Sequence, residues 1–214
     1  MSGILKVGGS ELINDNGGSG SLQWGTGLPS GSIVQVQHTQ FDTGAEHSTM
    51  SANTDYVLQN NTNVSSASGG SYSGILDVDI TPKINGSKIW LTSHIFGEAN
   101  TDEVWNLVFF FWRSVSSPSS HTKLTTGVSG KTDGASGISM ATRTSNFTNE
   151  DSTPEIVNMQ YFDTHGVSAG TQITYKVGLA TGGNSTAWHT SKTAGTHATN
   201  EAGVSSICAI ELAP

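Results

Sequence analysis

The chain has 214 residues, a formal net charge of −8 and only 12% charged residues, while Gly, Ser, Thr and Asn are abundant. Long helices need Ala, Leu, Glu, Lys and Arg in quantity, so this composition favours many short strands joined by polar loops. The basic residues form no stripe and no apolar run approaches the roughly 20 residues that span a bilayer, so neither nucleic-acid binding nor membrane insertion is expected.

The first 31 residues differ from the rest of the chain. Ile4–Val7 predicts one short strand, and the glycines that follow interrupt any longer element. Two interpretations stay open for residues 1–31: a disordered tail, or an extended attachment arm that becomes ordered on another subunit. In the second interpretation the docking residues are the apolar side chains Ile4, Leu5, Val7, Leu12, Ile13 and Trp24.

Residues 32–214 are predicted to form one β-domain. Apolar residues recur at alternate positions in eight or nine strand-sized segments, which places one face of each segment in a core. The segments are 32–37, 55–59, 73–81, 88–96, 103–113, 137–143, 155–162, 171–180 and 204–212. The pattern predicts an all-β fold: an antiparallel β-sandwich, jelly-roll-like, with an extended N-terminal arm. An immunoglobulin-like sandwich is the alternative.

The segment 75–95 has the clearest local signals. Pro82 ends a first strand, because proline cannot donate to a strand ladder, and Asn85-Gly86 suits a tight reversal. The segment therefore predicts a hairpin, that is, two strands joined by a tight connection. Asp77 and Asp79 alternate with the apolar residues, so we expect them on a solvated face.

The final segment, 204–212, is apolar in both of its phases. One phase contains Glu211, whereas the other consists of Cys208, Ile210 and Leu212. Since the second phase is the more apolar, we predict that it faces the core. Cys208 is the only cysteine, so a buried thiol is expected and a disulfide within the chain is excluded.

The segment 104–112 is almost continuously apolar. Such a run predicts a central strand buried on both faces, or one that a neighbouring subunit partly buries. In the second case the subunit interface consists of Leu107, Phe109, Phe110, Phe111 and Trp112.

Three long polar segments, 39–53, 114–136 and 182–203, are predicted to be loops, where binding residues are often found. The last contains Trp188 and His189. An exposed tryptophan can stack on a sugar ring, so these two residues are candidate contacts for a receptor or glycan. The alternative is a tryptophan that folds onto the domain and anchors the loop.

No catalytic constellation is recognisable in the sequence. The seven histidines lack the spacing of metal ligands, and neither a nucleophile elbow nor a Ca²⁺-binding loop occurs. We therefore expect no enzymatic activity, no catalytic or metal-binding residues and no cofactor.

Two parts of the chain resemble virion proteins of tailed phages. Ile4-Leu-Lys-Val-Gly-Gly-Ser10 is similar to the N-terminus of many marine-phage (cyanophage-like) virion proteins, although Gly8 stands where those carry an acidic residue. Beyond residue 28, four segments in succession resemble the β-domain of tail-fibre and capsid-fibre proteins. They are Leu28-Pro-Ser-Gly-Ser-Ile-Val-Gln-Val36, Val78-Asp-Ile-Thr-Pro-Lys-Ile-Asn-Gly-Ser-Lys-Ile89, Thr171-Gln-Ile-Thr-Tyr-Lys-Val177 and Ser205-Ser-Ile-Cys-Ala-Ile-Glu-Leu212.

The resemblance implies a virion structural protein of a double-stranded DNA phage of aquatic bacteria. A short fibre, knob or decoration subunit would be anchored to a capsid or tail protein by its N-terminal arm, form a homotrimer and contact a host-surface glycan. It would be assembled in the host cytoplasm and end in the virion. The alternative is a lectin-like carbohydrate-binding module outside a virion.

Overall fold

The structure is a computed structural model that describes residues 4–7, 9–14, 23–24, 27–60, 74–99, 107–115, 121–125, 137–141, 154–182, 186–193 and 201–214. The elements in these ranges are all β-strands, which form three antiparallel sheets. The N-terminal sheet has three short strands: β1 (Ile4–Val7), β2 (Ser10–Asn14) and β3 (Gln23–Trp24).

Two larger sheets pack face to face. Sheet I consists of β4 (Ile33–Phe41), β5 (Ala45–Met50), β8 (Lys88–Ala99), β12 (Glu155–Asp163), β14 (Thr186–Thr190) and β15 (Ser205–Leu212). Sheet II consists of β6 (Thr54–Val57), β7 (Asp77–Ile80), β9 (Val108–Val115), β10 (His121–Leu124), β11 (Ser139–Met140) and β13 (Ile173–Thr181). This confirms the predicted all-β fold and antiparallel sandwich.

The strand order is that of a jelly roll. Several short strands lie end to end against one partner: β14 and β15 both pair with β8, and β6 and β7 both pair with β13. Grouped in this way, the strands of sheets I and II occupy eight positions in chain order: β4 with β5, β6 with β7, β8, β9, β10 with β11, β12, β13, and β14 with β15. Sheet I has the first, eighth, third and sixth in that order, and sheet II has the second, seventh, fourth and fifth. Neighbours in sequence thus mostly lie in opposite sheets, as in a jelly roll.

The structure corrects two local predictions. The strands of segment 75–95 exist as β7 and β8, but they do not form a hairpin, because β7 pairs with β13 in sheet II and β8 belongs to sheet I. The three predicted loops each contain a strand, namely β5, β10 and β14. These strands are short and partly polar, and pairing forms them without an apolar alternation of their own: β10 pairs with β9, β14 with β8, and β5 with β14.

The core lies between sheets I and II and is apolar along most of its length. β13 contributes Ile173, Tyr175, Val177 and Leu179, which follow the predicted alternation and are buried. One end of the core is polar. There Arg113 of sheet II contacts Asp163 of sheet I, with Nη1 2.7 Å from Oδ1. The Tyr175 hydroxyl donates to Asp163 Oδ2 at 2.7 Å, so this group connects the two sheets.

Glu211 is fully buried at the same end and accepts hydrogen bonds from the connection between β7 and β8. Its Oε1 accepts from the backbone N–H groups of Lys83 at 2.8 Å and Ile84 at 3.1 Å. Its Oε2 accepts from Gln35 Nε2 at 2.6 Å. Charge-assisted bonds of this kind compensate for burial of a carboxylate, which is how an acidic residue can occupy the core face of β15.

We expect Glu211→Gln to lower the free energy of unfolding by about 2–3 kcal/mol, because either orientation of the amide places an N–H group against another donor. Urea denaturation measures this loss. Asp79→Asn is the matched control, since Asp79 is exposed and the Thr174 hydroxyl can still donate to the amide oxygen. The control should change stability by no more than about 0.5 kcal/mol. Equal effects of the two substitutions would contradict this role of Glu211.

Candidate functional site

The outer face of sheet I is the side that points away from the core. On β8, Ile89, Leu91 and Ile95 are in the core, so the residues between them point outward. The same alternation applies to β12 and β15, and pairing with β15 orients β4. On β4, β12, β15 and β8 as far as Phe96, the outer face comprises Ile33, Val36, His38, Gln40, Lys88, Trp90, Thr92, His94, Phe96, Ile156, Asn158, Gln160, Phe162, Ser206, Cys208, Ile210 and Leu212. Beyond Phe96 it continues with Glu98, with His189 of β14 and with Glu46 of β5.

An apolar row crosses this face from edge to edge. The strand register pairs Phe162 with Trp90, Trp90 with Ile210, and Ile210 with Val36. The rings of Trp90 and Phe162 are stacked, with centroids 5.6 Å apart and planes 10° from parallel. The row is open to solvent at both edges, because Phe162 is 58% exposed and Val36 is 51% exposed. Four adjacent strands therefore present one continuous apolar strip.

Exposed apolar side chains are concentrated on this face. Among the described residues, six large hydrophobic side chains are exposed, and Ile33, Val36, Ile156 and Phe162 belong to the outer face of sheet I. A fifth, Val204, directly precedes β15 in the outward phase. The sixth is Leu5, in the N-terminal sheet. Single exposed apolar residues are ordinary, but a contiguous set is typical of a surface that binds a protein, a membrane or a ligand.

The centre of the face is polar and almost without charge. Gln160, Thr92, Cys208 and His38 form the row beside the apolar strip, and the next row includes His94, whose Nδ1 lies 3.1 Å from Asn158 Oδ1. Lys88 is the one residue with a permanent charge in the five outward rows from Lys88 to Phe96. Partial burial raises the pKa of the Cys208 thiol, so the thiol is neutral at physiological pH.

The final strand therefore has the opposite orientation to that predicted. Cys208, Ile210 and Leu212 point to the outer face, whereas Ile207, Ala209 and the buried Glu211 point to the core. The apolar content of the two phases could not show which phase faces the core, because the carboxylate of Glu211 accepts hydrogen bonds from donors within the core. This correction is what places Ile210 in the exposed apolar row.

Sheet II, in contrast, has a closed outer face. Phe110 and Trp112 point away from the main core, yet they are buried in a second, smaller cluster. Lys123 Nζ lies 4.1 Å from the Phe110 ring centroid, and Trp112 Nε1 donates to the Tyr56 carbonyl at 3.1 Å. Gly178 lies beneath both rings, and a Cβ atom there would clash with them.

The predicted subunit interface is consequently not an exposed surface. Leu107, Phe109 and Phe111 are buried in the core between the sheets, while Phe110 and Trp112 belong to the second cluster. The structure therefore agrees with the first interpretation of this apolar run, a central strand that is buried on both faces within one chain. A second subunit is not needed to explain it.

The predicted glycan contact is also corrected. Trp188 is fully buried and meets Phe109 edge to face, with centroids 5.0 Å apart, so its ring cannot stack on a sugar. This is the alternative interpretation, in which the tryptophan is an anchor. His189 lies between Glu46 and Glu98 on adjacent strands and is only 8% exposed. Burial lowers its pKa.

The residues predicted for docking are found in the N-terminal sheet. Ile4, Leu5 and Val7 are in β1, Leu12 and Ile13 are in β2, and Trp24 is in β3. Leu5 is exposed and Ile13 is half-buried; the side chains of the other four lie outside the described part of the structure. Their docking role and the boundary at residue 31 stay predictions.

The comparisons with known proteins give no family. No family model matches the chain, and no curated protein matches it. Within the described ranges, no group of three or more His, Cys, Asp or Glu side chains is arranged to hold a metal ion. The same ranges contain no helix of the length and hydropathy needed to cross a membrane.

We expect Trp188→Ala to destabilise the protein by about 3–5 kcal/mol, because it empties a large volume in the core. Phe162→Ala removes a ring of comparable size from the outer face and should cost about 1 kcal/mol or less at low protein concentration. Thermal or urea denaturation of both variants measures the difference. A Trp188 variant as stable as the wild type would show that this residue is not a core anchor.

A second expectation concerns pH. Burial lowers the pKa of His47 to about 4, and its Nδ1 accepts a hydrogen bond from the Gln59 N–H at 3.1 Å. The unfolded chain, with an ordinary pKa of 6.5, binds this proton more readily. Stability from this group is therefore complete above pH 6.5 and falls by about 3 kcal/mol as the pH drops to 4.

Denaturation of wild type and His47→Gln across this pH range tests the assignment. Burial also lowers the pKa of His121, His165 and His189, so the wild type has additional acid sensitivity in the same direction. The informative quantity is the difference in slope between the two proteins. Parallel pH profiles would contradict the expectation.

Proposed function

We propose that this chain is a structural protein of a phage virion, a short fibre, knob or decoration subunit without catalytic activity. The observation that carries the proposal is the eight-position jelly roll with one open, apolar sheet face. Jelly rolls form many viral capsid and lectin domains. A fold alone does not define a function, so the sequence resemblance to tail-fibre and capsid-fibre proteins supplies the particular class.

In this proposal the N-terminal sheet attaches the subunit to the particle. It is formed by β1–β3, separate in its pairing from sheets I and II, and presents Leu5 to solvent. The partners are other proteins of the capsid or tail, with further copies of the chain in a homotrimer. The protein assembles in the host cytoplasm and resides in the virion.

A second candidate function is that of a lectin-like carbohydrate-binding module. The stacked pair of Trp90 and Phe162, beside the amides of Gln160 and Asn158, favours it, because sugars bind to aromatic faces flanked by hydrogen-bonding groups. A glycan array of host surface polysaccharides tests it with wild type and Phe162→Ala. Binding by the wild type that is lost in the variant would support this function, whether or not the chain is part of a virion.

We expect an antibody against the purified chain to label intact particles from infected host cultures in immunogold electron microscopy. The labelled position would distinguish capsid from tail. Purified protein should also bind particles that lack it, and Leu5→Glu should weaken this binding at least tenfold by placing a charge in an apolar contact. Asp79→Lys, an exposed change on sheet II, is the control. Unlabelled particles would refute the virion role.

A further inference from the structure

We propose that the outer face of sheet I is the surface through which copies of this chain bind one another. This goes beyond the proposed function and rests on it only for the expectation of self-association: the same face meeting itself forms a two-fold pair, so the homotrimer would use a different contact. The partner is a second copy of this chain, and the contact is centred on the row of Val36, Ile210, Trp90 and Phe162.

The composition of the face fits a protein partner. Protein–protein interfaces are enriched in aromatic residues and depleted of charge at their centres. The five outward rows of sheet I from Lys88 to Phe96 contain Trp90, Phe96 and Phe162 and have Lys88 as their single permanent charge. Ile33 and Val36 expose more than half of their surface, which is unfavourable in water unless another surface covers them.

The charge distribution favours a second copy over an unlike partner. The chain carries 17 acidic and 9 basic residues, so two copies repel each other over most of their surfaces. The five outward rows from Lys88 to Phe96 contain no carboxylate. The next row contains Glu46 and Glu98 on either side of His189, and of these two Glu98 is only 2% exposed. Two acidic copies can therefore approach through the five rows without opposing carboxylates.

The face is also large enough. Four strand positions at about 4.8 Å spacing and five outward rows at about 6.7 Å give an area on the order of 600 Å². Two such faces bury on the order of 1,200 Å² in total, which reaches the range of specific interfaces. Among the described residues, the outer face of sheet II offers no comparable apolar surface, since its aromatic side chains are already covered.

Sedimentation velocity of the full-length chain, from sub-micromolar to about 100 µM, tests the proposal. The wild type should sediment as an oligomer at the upper concentrations. Phe162→Glu and, separately, Val36→Lys should raise the dissociation constant at least roughly 30-fold, because each places a charge in an apolar contact. Far-UV circular dichroism and the urea midpoint show that each variant is folded. Because one variant is negative and the other positive, a shared effect cannot come from net charge.

Asp79→Lys is the matched control, because Asp79 is exposed but lies on sheet II, outside the proposed contact. It should leave the dissociation constant within about threefold of wild type. Dissociation by Leu5→Glu, with no effect of Phe162→Glu, would transfer the contact to the N-terminal sheet and overturn the proposal.

The single cysteine gives an independent readout. Cys208 lies on the outer face between Thr92 and His38, one row from the apolar strip. Its reaction with a maleimide should slow at least tenfold when the wild type associates, and should stay fast at all concentrations in Phe162→Glu. An oligomer in which Cys208 reacts as fast as in the monomer would refute this face as the contact.

The remaining outcomes are also decisive. A wild type that is monomeric at every concentration would overturn the proposal. A Phe162 variant that loses glycan binding and still associates would also overturn it, and would assign the face to another ligand. Labelling of particles by the antibody does not depend on this face. The virion role can therefore stand if self-association fails, and self-association can stand if the particles are unlabelled.

Discussion

Each strand of a two-sheet sandwich has two faces, and only one of them can lie in the shared core. Most features of this protein follow from whether the outward face of each sheet is covered by other residues or exposed to solvent. In sheet II the outward side chains Phe110 and Trp112 are covered within the chain, with Gly178 making room for them. In sheet I the outward row of Trp90 and Phe162 is left open. The two sheets therefore differ: sheet II covers its large outward aromatic side chains, and sheet I exposes an apolar row.

The contacts between the two sheets also change in kind along their length. Most of the interface between them is apolar, and apolar contacts alone allow small sliding adjustments. At one end, the contact of Arg113 with Asp163 and the hydroxyl of Tyr175 adds directional bonds across the interface. Glu211 attaches the β7–β8 connection to the same end through backbone hydrogen bonds. Such directional bonds restrict the relative position of the two sheets at this end.

The sequence was sufficient for the fold class and for the strands with strong alternation, such as β13, but not for the site. Alternation reports which residues share a face, and it does not report which face is inside. In β15 the more apolar phase points outward, since Glu211 finds donors in the core. For Trp188 the polar neighbours left two interpretations open, a glycan contact or an anchor, and the pairing of β14 with both β5 and β8 buries it as an anchor. Both outcomes depend on partners distant in sequence, which local patterns do not contain.

The pairing of Ile33 with Leu212 brings the entry and the exit of the sandwich together, and Gly31 N–H donates to the Ala213 carbonyl at 3.0 Å. If the N-terminal sheet is held on a particle, the residues around Ala213 lie near that particle too. A peptide fused after Pro214 would be displayed poorly. The turn at Asn53 lies at the other end of the sandwich, where its N–H donates to the Thr181 carbonyl. For presenting a foreign epitope away from the particle, that turn is the better insertion point.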